Sequence, residues 1–507
     1  MDRGFFRKVG YIMKTTALRR ISLLLTLLMT ANPVLTSCSD AGTGDADSAS
    51  ADVSSEVEVI SEETEPETEE ILTDNVPELD FGGETVTIAG QKSDGCSDIS
   101  SEEITGEVLN DAIFNRNAAM EERFNVSFTE PLATDYGTVS AAVKATVQAG
   151  DAAYDIILNQ LAQTSSDALN GNYMNLNEIP YLDFTQRWYP ASVIESASLN
   201  NKLYLMVSDL CISYVGQTWS MCFNKDIATD MGIENLYDLV REGEWTIDKL
   251  KEITSEIYID INGDGVRDEG DRYGFTMGSN GIDGCKGAAL LYGAGQRFMK
   301  INEDYTIDHL LGTEEAQKVA EKFYELNNQA GSTVFTGHSY PLYAMMQQVA
   351  VFAPAQLHHY YGHARDFEGT FGVLPLPKND TAQESYATLC DAGCNCISVP
   401  VVIKNPELTG ALIEAMSAYS TNNVVPAFVD VSLQTKVARD EESVEMMQIV
   451  LDSRVMDFAY LYCGWNGWTW QLADLFKDPG AYASKFTSKQ KVMDKTYERM
   501  IKNFIEE

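Results

Sequence analysis

Strands and helices alternate at the start of the folded part of the chain, and this alternation limits the possible folds more than any other feature. Glu84 to Ala89 alternates in polarity and is rich in β-branched residues, which predicts a strand. Helical spacing follows in Gly106 to Phe124 and Thr138 to Ala149. Tyr154 to Leu158 is an apolar run typical of a strand buried on both faces. The pattern predicts an α/β fold with a mainly parallel sheet and right-handed crossovers.

Polar residues stand where two of these predicted strands end. Gln91 follows the first strand, and Asn159 and Gln160 follow the second. Ligands of open α/β sheets bind beyond the carboxyl ends of the strands. These three residues are therefore predicted to contact a ligand.

The beginning of the chain combines a basic segment with a short apolar run. Lys14, Arg19 and Arg20 precede Ile21 to Met29, and small residues lead to Cys38. The stretch resembles a bacterial lipoprotein signal peptide, since the run is too short to span a bilayer. A membrane anchor helix is the alternative. The resemblance implies a signal peptide over residues 1–37 and a lipid on Cys38 that holds the protein to a membrane outside the cytoplasm.

An acidic segment follows, with almost no large apolar residue and no base up to about Val76. Like charges repel, and the segment has little apolar surface to bury. We expect residues 38–79 to form a disordered tether, with the folded body starting near Asp80.

The bulk composition suits a large globular protein with a strongly acidic surface. The chain has 507 residues, a formal net charge of −40 and 44% hydrophobic residues. That charge argues against nucleic acid as a partner. No stretch after the signal region is long and apolar enough for a membrane helix.

Eight cysteines follow Cys38, but their spacing fixes no disulfide pairing. Cys390, Cys394 and Cys396 lack the CxxC pair or nearby histidine that would complete a zinc site. Buried free thiols are favoured over disulfides.

The most specific local motif is a twelve-residue loop from Asp260 to Asp271. A calcium loop of the EF-hand type supplies oxygen ligands from positions 1, 3, 5, 7, 9 and 12 and needs glycine at position 6, here Gly265. Asp at position 12 replaces the usual Glu, and a strand follows where an EF-hand has a helix. A solvated Asx-rich turn is the alternative. The expected cofactor is one structural Ca²⁺, with these predicted ligands: Asp260, Asn262, Asp264, Val266 through its carbonyl, Asp268 and Asp271.

Aromatic residues with polar neighbours suggest a sugar site. Flat rings stack on the C–H faces of a sugar, while amides and carboxylates bind its hydroxyls. A place in the hydrophobic core is the alternative for each ring. The predicted rings are Trp219, Phe223, Trp465 and Trp468.

Enzymatic signatures are weak. His358, His359 and His363 have helical spacing but no matching carboxylate motif, so an ordinary helix end is favoured over zinc. The sequence contains no HExxH, GxSxG, P-loop or dinucleotide-binding pattern in a supporting context. We therefore predict that the protein is not an enzyme.

Several segments in order resemble the family 1 extracellular solute-binding proteins, the lipid-anchored receptors of bacterial ABC importers, and in particular their maltose-binding branch. The segments are Asp155-Ile-Ile, Phe223-Asn-Lys-Asp226, Glu244-Trp-Thr246, the calcium-like loop with Arg272-Tyr-Gly-Phe275, and Phe371-Gly-Val-Leu-Pro-Leu-Pro-Lys378.

The resemblance implies a two-lobed periplasmic-binding-protein type II fold with a cleft between the lobes and crossing hinge segments. Lobe 1 would comprise residues 80–207 and 371–425, and lobe 2 residues 208–370 and 426–507. Phe223 would stack on the ligand, and Gln356 would lie on the cleft.

The implied function is that of a lipid-anchored receptor on the extracellular face of the membrane. It would deliver a small solute, most simply an oligosaccharide, to the membrane subunits of an ABC importer by hinge closure. We expect a monomer. A cell-surface carbohydrate-active enzyme or an adhesin on a stalk is the alternative.

Overall fold

A computed structural model describes most of the chain after the acidic segment. It covers residues 71–91, 98–99, 101, 103–278, 281–282, 284–333, 340–364, 367–434, 441–463 and 474–506. Glu69–Glu507 forms one compact unit. The predicted signal peptide, Cys38 and the tether up to residue 70 lie outside the described residues.

Thirteen strands are found in the described part of the chain. They are β1 (Glu84–Gln91), β2 (Val126–Thr129), β3 (Leu132–Ala133), β4 (Ile156–Gln160), β5 (Trp219–Asn224), β6 (Tyr258–Ile259), β7 (Arg272–Thr276), β8 (Met299–Ile301), β9 (Ile307–His309), β10 (Ser332–Thr333), β11 (Ala350–Gln356), β12 (Phe371–Leu374) and β13 (Asn395–Ser398).

The helices of the described part lie between and after these strands. They are α1 (Val108–Phe124), α2 (Tyr136–Ala149), α3 (Leu161–Ala168), α4 (Ala191–Ala197), α5 (Ile212–Gly216), α6 (Lys225–Asp230), α7 (Leu236–Arg241), α8 (Ile247–Thr254), α9 (Gly284–Gly293), α10 (Glu314–Asn328), α11 (Pro341–Met346), α12 (Leu357–His363), α13 (Pro406–Tyr419), α14 (Val425–Gln434), α15 (Glu441–Asp452) and α16 (Tyr482–Ile505).

The first sheet has the order β13-β4-β1-β2, with β3 pairing beyond β2 on the same edge of β1. Strands β2, β3 and β4 all run parallel to β1, which confirms the predicted parallel sheet. Both of its faces are buried. Val86 and Ile88 pack into the main core, whereas Ala89 and Ile157 pack against α2 on the other face.

Local signals explain where the helices of this sheet begin and end. The carboxylate of Asp135 accepts a hydrogen bond from the backbone N–H of Thr138 at the start of α2. Gly150 ends α2 with φ of 69°, a conformation that glycine adopts without steric cost. The predicted end of this helix at Ala149 is thus confirmed.

The second sheet has the order β10-β7-β11-β5-β12, with β6 pairing with β7. Strand β7 runs parallel to β10 and β11, and β5 runs antiparallel to β11 and β12. Trp219 at the start of β5 therefore lies beside Gln356 at the end of β11. These two residues mark the edge where the parallel strands end.

Three described segments pass between the two sheets. In the first, Met206 pairs with Ile397 of β13 before the chain runs through α5 into β5. In the second, the carbonyl of Leu389 accepts a hydrogen bond from the N–H of Trp219, and the chain then enters β13. The third is the helical run α13–α14, which is continuous through a π-helical turn at Ser420–Val424.

The predicted return of the chain to lobe 1 at Phe371 is wrong by one strand. Residues Phe371 and Leu374 pair with Asn224 and Met221 of β5, so β12 belongs to the second sheet. The chain returns only after Leu389. Likewise, the end of α16 does not belong to lobe 2 alone, because Phe504 packs against Tyr204 at a ring-centroid distance of 5.3 Å.

The predicted boundary of the tether at residue 79 is also wrong. Asp74 accepts two hydrogen bonds of 2.7 Å from the guanidinium of Arg123 on α1. The side-chain amide of Asn422 bonds both backbone groups of Leu72, and Val76 is buried in the main core. The packed body therefore begins by about Leu72.

The cysteines of the described part are free thiols. Cys211, Cys222, Cys390, Cys394 and Cys396 are buried, and Cys285 is half-buried. Burial raises the pKa of the Cys222 thiol to about 12. The prediction of buried free thiols is confirmed for these residues, while the side chains of Cys96 and Cys463 lie outside the described part.

Candidate functional site

Polar side chains line the carboxyl edge of the first sheet. Gly90 pairs with Leu158, which places Gln91 next to Asn159 in the parallel register. Gln160 pairs with Asn395 at the start of β13. The structure thus brings together the three residues predicted from the strand ends.

Two buried oxygens on this edge have no hydrogen-bond partner within the described part of the chain. They are Oε1 of Gln91 and Oδ1 of Asn159. The amide nitrogen of Asn159 donates to the carbonyl of Tyr136 at 3.2 Å, which fixes the orientation of this side chain. A buried acceptor without a donor destabilises the fold by about 1–3 kcal/mol, so such atoms suggest contact with a ligand or water.

A buried carboxylate that the sequence did not predict lies beside them. Asp98 accepts hydrogen bonds from the N–H of Ser213 at 2.7 Å, from its hydroxyl at 2.9 Å, and from the amide of Asn395. Burial raises the pKa of Asp98, although these donors oppose the shift. Since Ser213 lies in α5, Asp98 joins the edge of the first sheet to a segment that crosses between the sheets.

A small cavity opens among these groups. Its volume is about 10 Å³, roughly the room that one water molecule needs. It is lined by Ile88, Gly90, Gln91, Asp98, Ile99, Leu132, Leu158 and Asn395.

The carboxyl edge of the second sheet carries Trp219 and Gln356. Trp219 is 5% exposed, and its indole N–H has no acceptor among the described residues. The side chain of Gln356 instead caps α12 by accepting from the backbone of His359. Trp219 therefore has a buried donor without a partner in the described part of the chain, while the side chain of Gln356 is engaged in the fold.

The predicted ligand-stacking role of Phe223 is wrong. Its ring is 4% exposed and packs against Tyr237 and Phe352, at centroid distances of 5.8 and 5.9 Å. A Cβ on Gly372 would collide with the ring, so glycine leaves the space that Phe223 fills. The ring is therefore part of the core, four residues along β5 from the edge at Trp219.

The remaining predicted rings, Trp465 and Trp468, lie outside the described residues. The three histidines lie on and at the end of α12 and make structural contacts. His358 bonds the carbonyl of Gly216 at 3.0 Å, and His363 bonds the hydroxyl of Tyr343 at 3.1 Å. Burial holds the pKa of His359 well below its usual value.

Comparison with known proteins gives likeness in structure only. No protein-family model matches the sequence, and no curated protein matches it. The cyclic α-maltosyl-1,6-maltose-binding protein of Arthrobacter globiformis superposes with a TM-score of 0.53 and 15% identity, over 83% of this chain and 99% of that chain. The maltose/maltodextrin-binding domain MalE of Bdellovibrio bacteriovorus, bound to maltotriose, superposes with a TM-score of 0.52 and 13% identity. This match covers 82% of this chain and 100% of that chain.

A third similar structure holds a different ligand. UgpB of Mycobacterium tuberculosis, in complex with glycerophosphocholine, gives a TM-score of 0.52 and 16% identity over 78% of this chain and 98% of that chain. All three matches span nearly the whole of the solved protein. The chain has the two-lobed type II periplasmic-binding-protein fold. This confirms the predicted fold class, and ligands of open α/β sheets bind beyond the carboxyl ends of the strands.

The predicted calcium loop lies away from the cleft of this binding-protein fold. It joins β6 to β7, and Ile259 pairs with Arg272 where the loop closes. The cleft edge is at the opposite end of β7. Within the described residues, no three His, Cys, Asp or Glu side chains converge as a ready-made metal site.

No helix in the described part of the chain has the length and apolar character needed to cross a membrane.

Proposed function

We propose that the protein is the solute-binding receptor of an ABC importer and that it binds an oligosaccharide between its lobes. The main support is the set of buried polar atoms without partners on the two sides of the cleft. Gln91 and Asn159 present acceptors on one side, and Trp219 presents a donor on the other. In a protein with this fold, a bound solute supplies the missing partners.

The polarity of these groups favours a sugar. A hydroxyl donates to the two amide oxygens and also accepts from the indole N–H, so one polyol satisfies all three. Asp98 lines the cavity beside Gln91, and its carboxylate would repel a phosphate. Two of the similar proteins bind cyclic α-maltosyl-1,6-maltose and maltotriose, whereas the third is in complex with glycerophosphocholine.

Hinge closure would couple binding to transport. A solute that contacts both edges favours the closed arrangement by the free energy of those additional contacts. The two crossing segments that contain Ser213 and Asn395 would move least, because Asp98 bonds both residues. The membrane subunits of the importer would then recognise the closed form.

The proposed location is the extracellular face of the membrane. The residues before Cys38 have the pattern of a lipoprotein signal peptide, and the acidic segment after it suits a tether. A lipid on Cys38 would keep the monomeric receptor near its importer. The chain would act without catalysis and without nucleic acid as a partner, in keeping with its net charge of −40.

Titration calorimetry of the full chain against three solute classes tests this function. The panel contains malto-oligosaccharides and other short glycans, peptides of matched size, and glycerophosphodiesters. We expect saturable binding of a glycan, with the glycan recovered intact. Tight binding of a peptide or phosphodiester without glycan binding would overturn the solute class, and release of shorter glycans would identify an enzyme.

A further inference from the structure

The loop between β6 and β7 is built around one carboxylate. Asp260 accepts hydrogen bonds from the N–H of Gly263 at 2.7 Å and of Gly265 at 2.9 Å. Both glycines have φ between 73° and 74°, which other residues rarely adopt. The backbone therefore already curls around the side chain at the first position of the loop.

The last position of the loop carries an unsatisfied buried oxygen. Asp271 is 1% exposed, and its Oδ2 accepts from the N–H of Asp268 at 3.2 Å and from the hydroxyl of Tyr258 at 3.1 Å. These bonds turn the carboxylate toward the loop. Its Oδ1 is buried without any partner in the described part of the chain. Removing a carboxylate oxygen from water without a donor or cation is strongly unfavourable.

The carboxylates of this loop outnumber its bases. None of the carboxylates of Asp260, Asp264, Asp268 and Asp271 forms a salt bridge with a described residue. The one arginine of the loop, Arg267, stacks on the ring of Tyr258 at 4.1 Å. Five carboxylates thus lie within twelve residues against the single arginine of the loop, and a divalent cation would relieve their repulsion.

We propose that this loop binds one Ca²⁺ ion, which fastens the β6–β7 hairpin. Ca²⁺ takes six to eight oxygen ligands, and its flexible geometry suits carboxylates, an amide and a backbone carbonyl. Asp264 and Asp268 now accept from the N–H groups of Val266 and Gly270, so they must turn inward to reach the ion. Both side chains lie near the surface, where such a rotation costs little.

The predicted consequence is a change in stability and not in solute binding. The loop lies at the end of β7 opposite the cleft, and Tyr258 and Tyr273 connect it to the second sheet. Asp at the twelfth position reaches less far than Glu and often supplies one oxygen instead of two. We therefore expect the loop to bind Ca²⁺ with an affinity that suits the calcium concentration outside the cell. Calcium should have no effect on the proposed binding of solute.

Melting of the full chain, stripped with chelator and measured with and without calcium, tests the site. Millimolar Ca²⁺ should raise the melting temperature by at least about 2 °C, and the same concentration of Mg²⁺ should raise it less. Terbium should give luminescence sensitised by Tyr258, since its hydroxyl bonds Asp271. An absence of calcium-dependent melting and of terbium luminescence would overturn the site.

Matched variants separate coordination from general charge effects. Asp271→Asn and the exposed Asp264→Asn should each abolish the calcium shift, whereas Glu269→Gln, at a position that supplies no ligand, should keep it. Equal losses in all three variants would contradict coordination and indicate charge screening. Calorimetry with solute on the same samples distinguishes failure of the calcium site from failure of the proposed receptor function. If only the calcium proposal is wrong, glycan binding is still observed.

Discussion

At the scale of single residues, the unpartnered polar atoms of the cleft provide the most direct mutational test. Gln91→Leu removes a buried acceptor that has no described partner, so the melting temperature should stay unchanged or rise. If a sugar hydroxyl donates to this oxygen, affinity for the glycan should fall roughly tenfold. Calorimetry and thermal melting of the same sample measure both quantities.

Gln317→Leu on α10 is the matched control. This glutamine is also half-exposed, but its amide donates to Glu321 of the same helix at 2.9 Å. Its replacement should leave the affinity for the glycan unchanged. If Gln91→Leu binds glycan as well as the native chain does, this residue is not in the binding site.

Glu414 gives a prediction about pH. It is buried on α13, where it accepts a 2.6 Å hydrogen bond from the hydroxyl of Tyr189, and burial raises its pKa to about 7. The folded protein therefore holds this proton more tightly than the unfolded chain, whose group has the usual pKa of 4.5. Its contribution to stability is complete below about pH 4.5 and is lost as the pH rises to 7.

The measurement is the melting temperature between pH 5 and 8. Glu414→Gln should flatten its decline with rising pH and stabilise the protein at pH 8 by about 2 kcal/mol, once screening by water is allowed for. Glu407→Gln on the same helix is the control, since this exposed residue also bonds a tyrosine, Tyr181. An unchanged slope in Glu414→Gln would contradict the assignment.

At the scale of secondary-structure elements, β5 carries one predicted residue at the cleft and one in the core. Phe223→Leu should destabilise the protein by roughly 1–2 kcal/mol, because the ring fills space between Tyr237, Phe352 and Gly372. Glycan affinity should stay the same. A loss of affinity with unchanged stability would instead support the stacking role first inferred from the sequence.

Element type could be predicted from local pattern, but sheet membership could not. The spacing of apolar residues predicts α10, and its hydroxyl cap Thr313 and acidic first turn fix where it starts. The apolar run that starts at Phe371 predicts a strand equally well. Nothing within that run says that its partner is β5, since pairing depends on residues about 150 positions earlier in the chain.

In the candidate site, too, some residues could be predicted from the local sequence and others could not. Gln91, Asn159 and Gln160 could be predicted because they follow strands, and parallel strands end at a common edge. Asp98 could not be predicted, since its partners Ser213 and Asn395 lie 115 and 297 residues away in the sequence. The packing of Leu72 and Asp74 could not be predicted either, because it depends on contacts with Asn422 and Arg123, which are distant in the sequence.

At the scale of the whole molecule, the crossing segments determine how the lobes can move. Asp98 holds two of these segments together, and α13–α14 forms the third. The π-helical turn at Ser420–Val424 joins the two parts of that helical run. Such turns are frequent at functional positions, and this one is a natural place for bending.

Small-angle scattering of the full chain, with and without the glycan found by calorimetry, tests hinge closure most directly. A receptor that closes on its solute should show a smaller radius of gyration at saturation, and the change should follow the binding isotherm. Gln91→Leu should need more glycan to reach the same compact form. Saturable glycan binding with an unchanged radius of gyration would contradict the account.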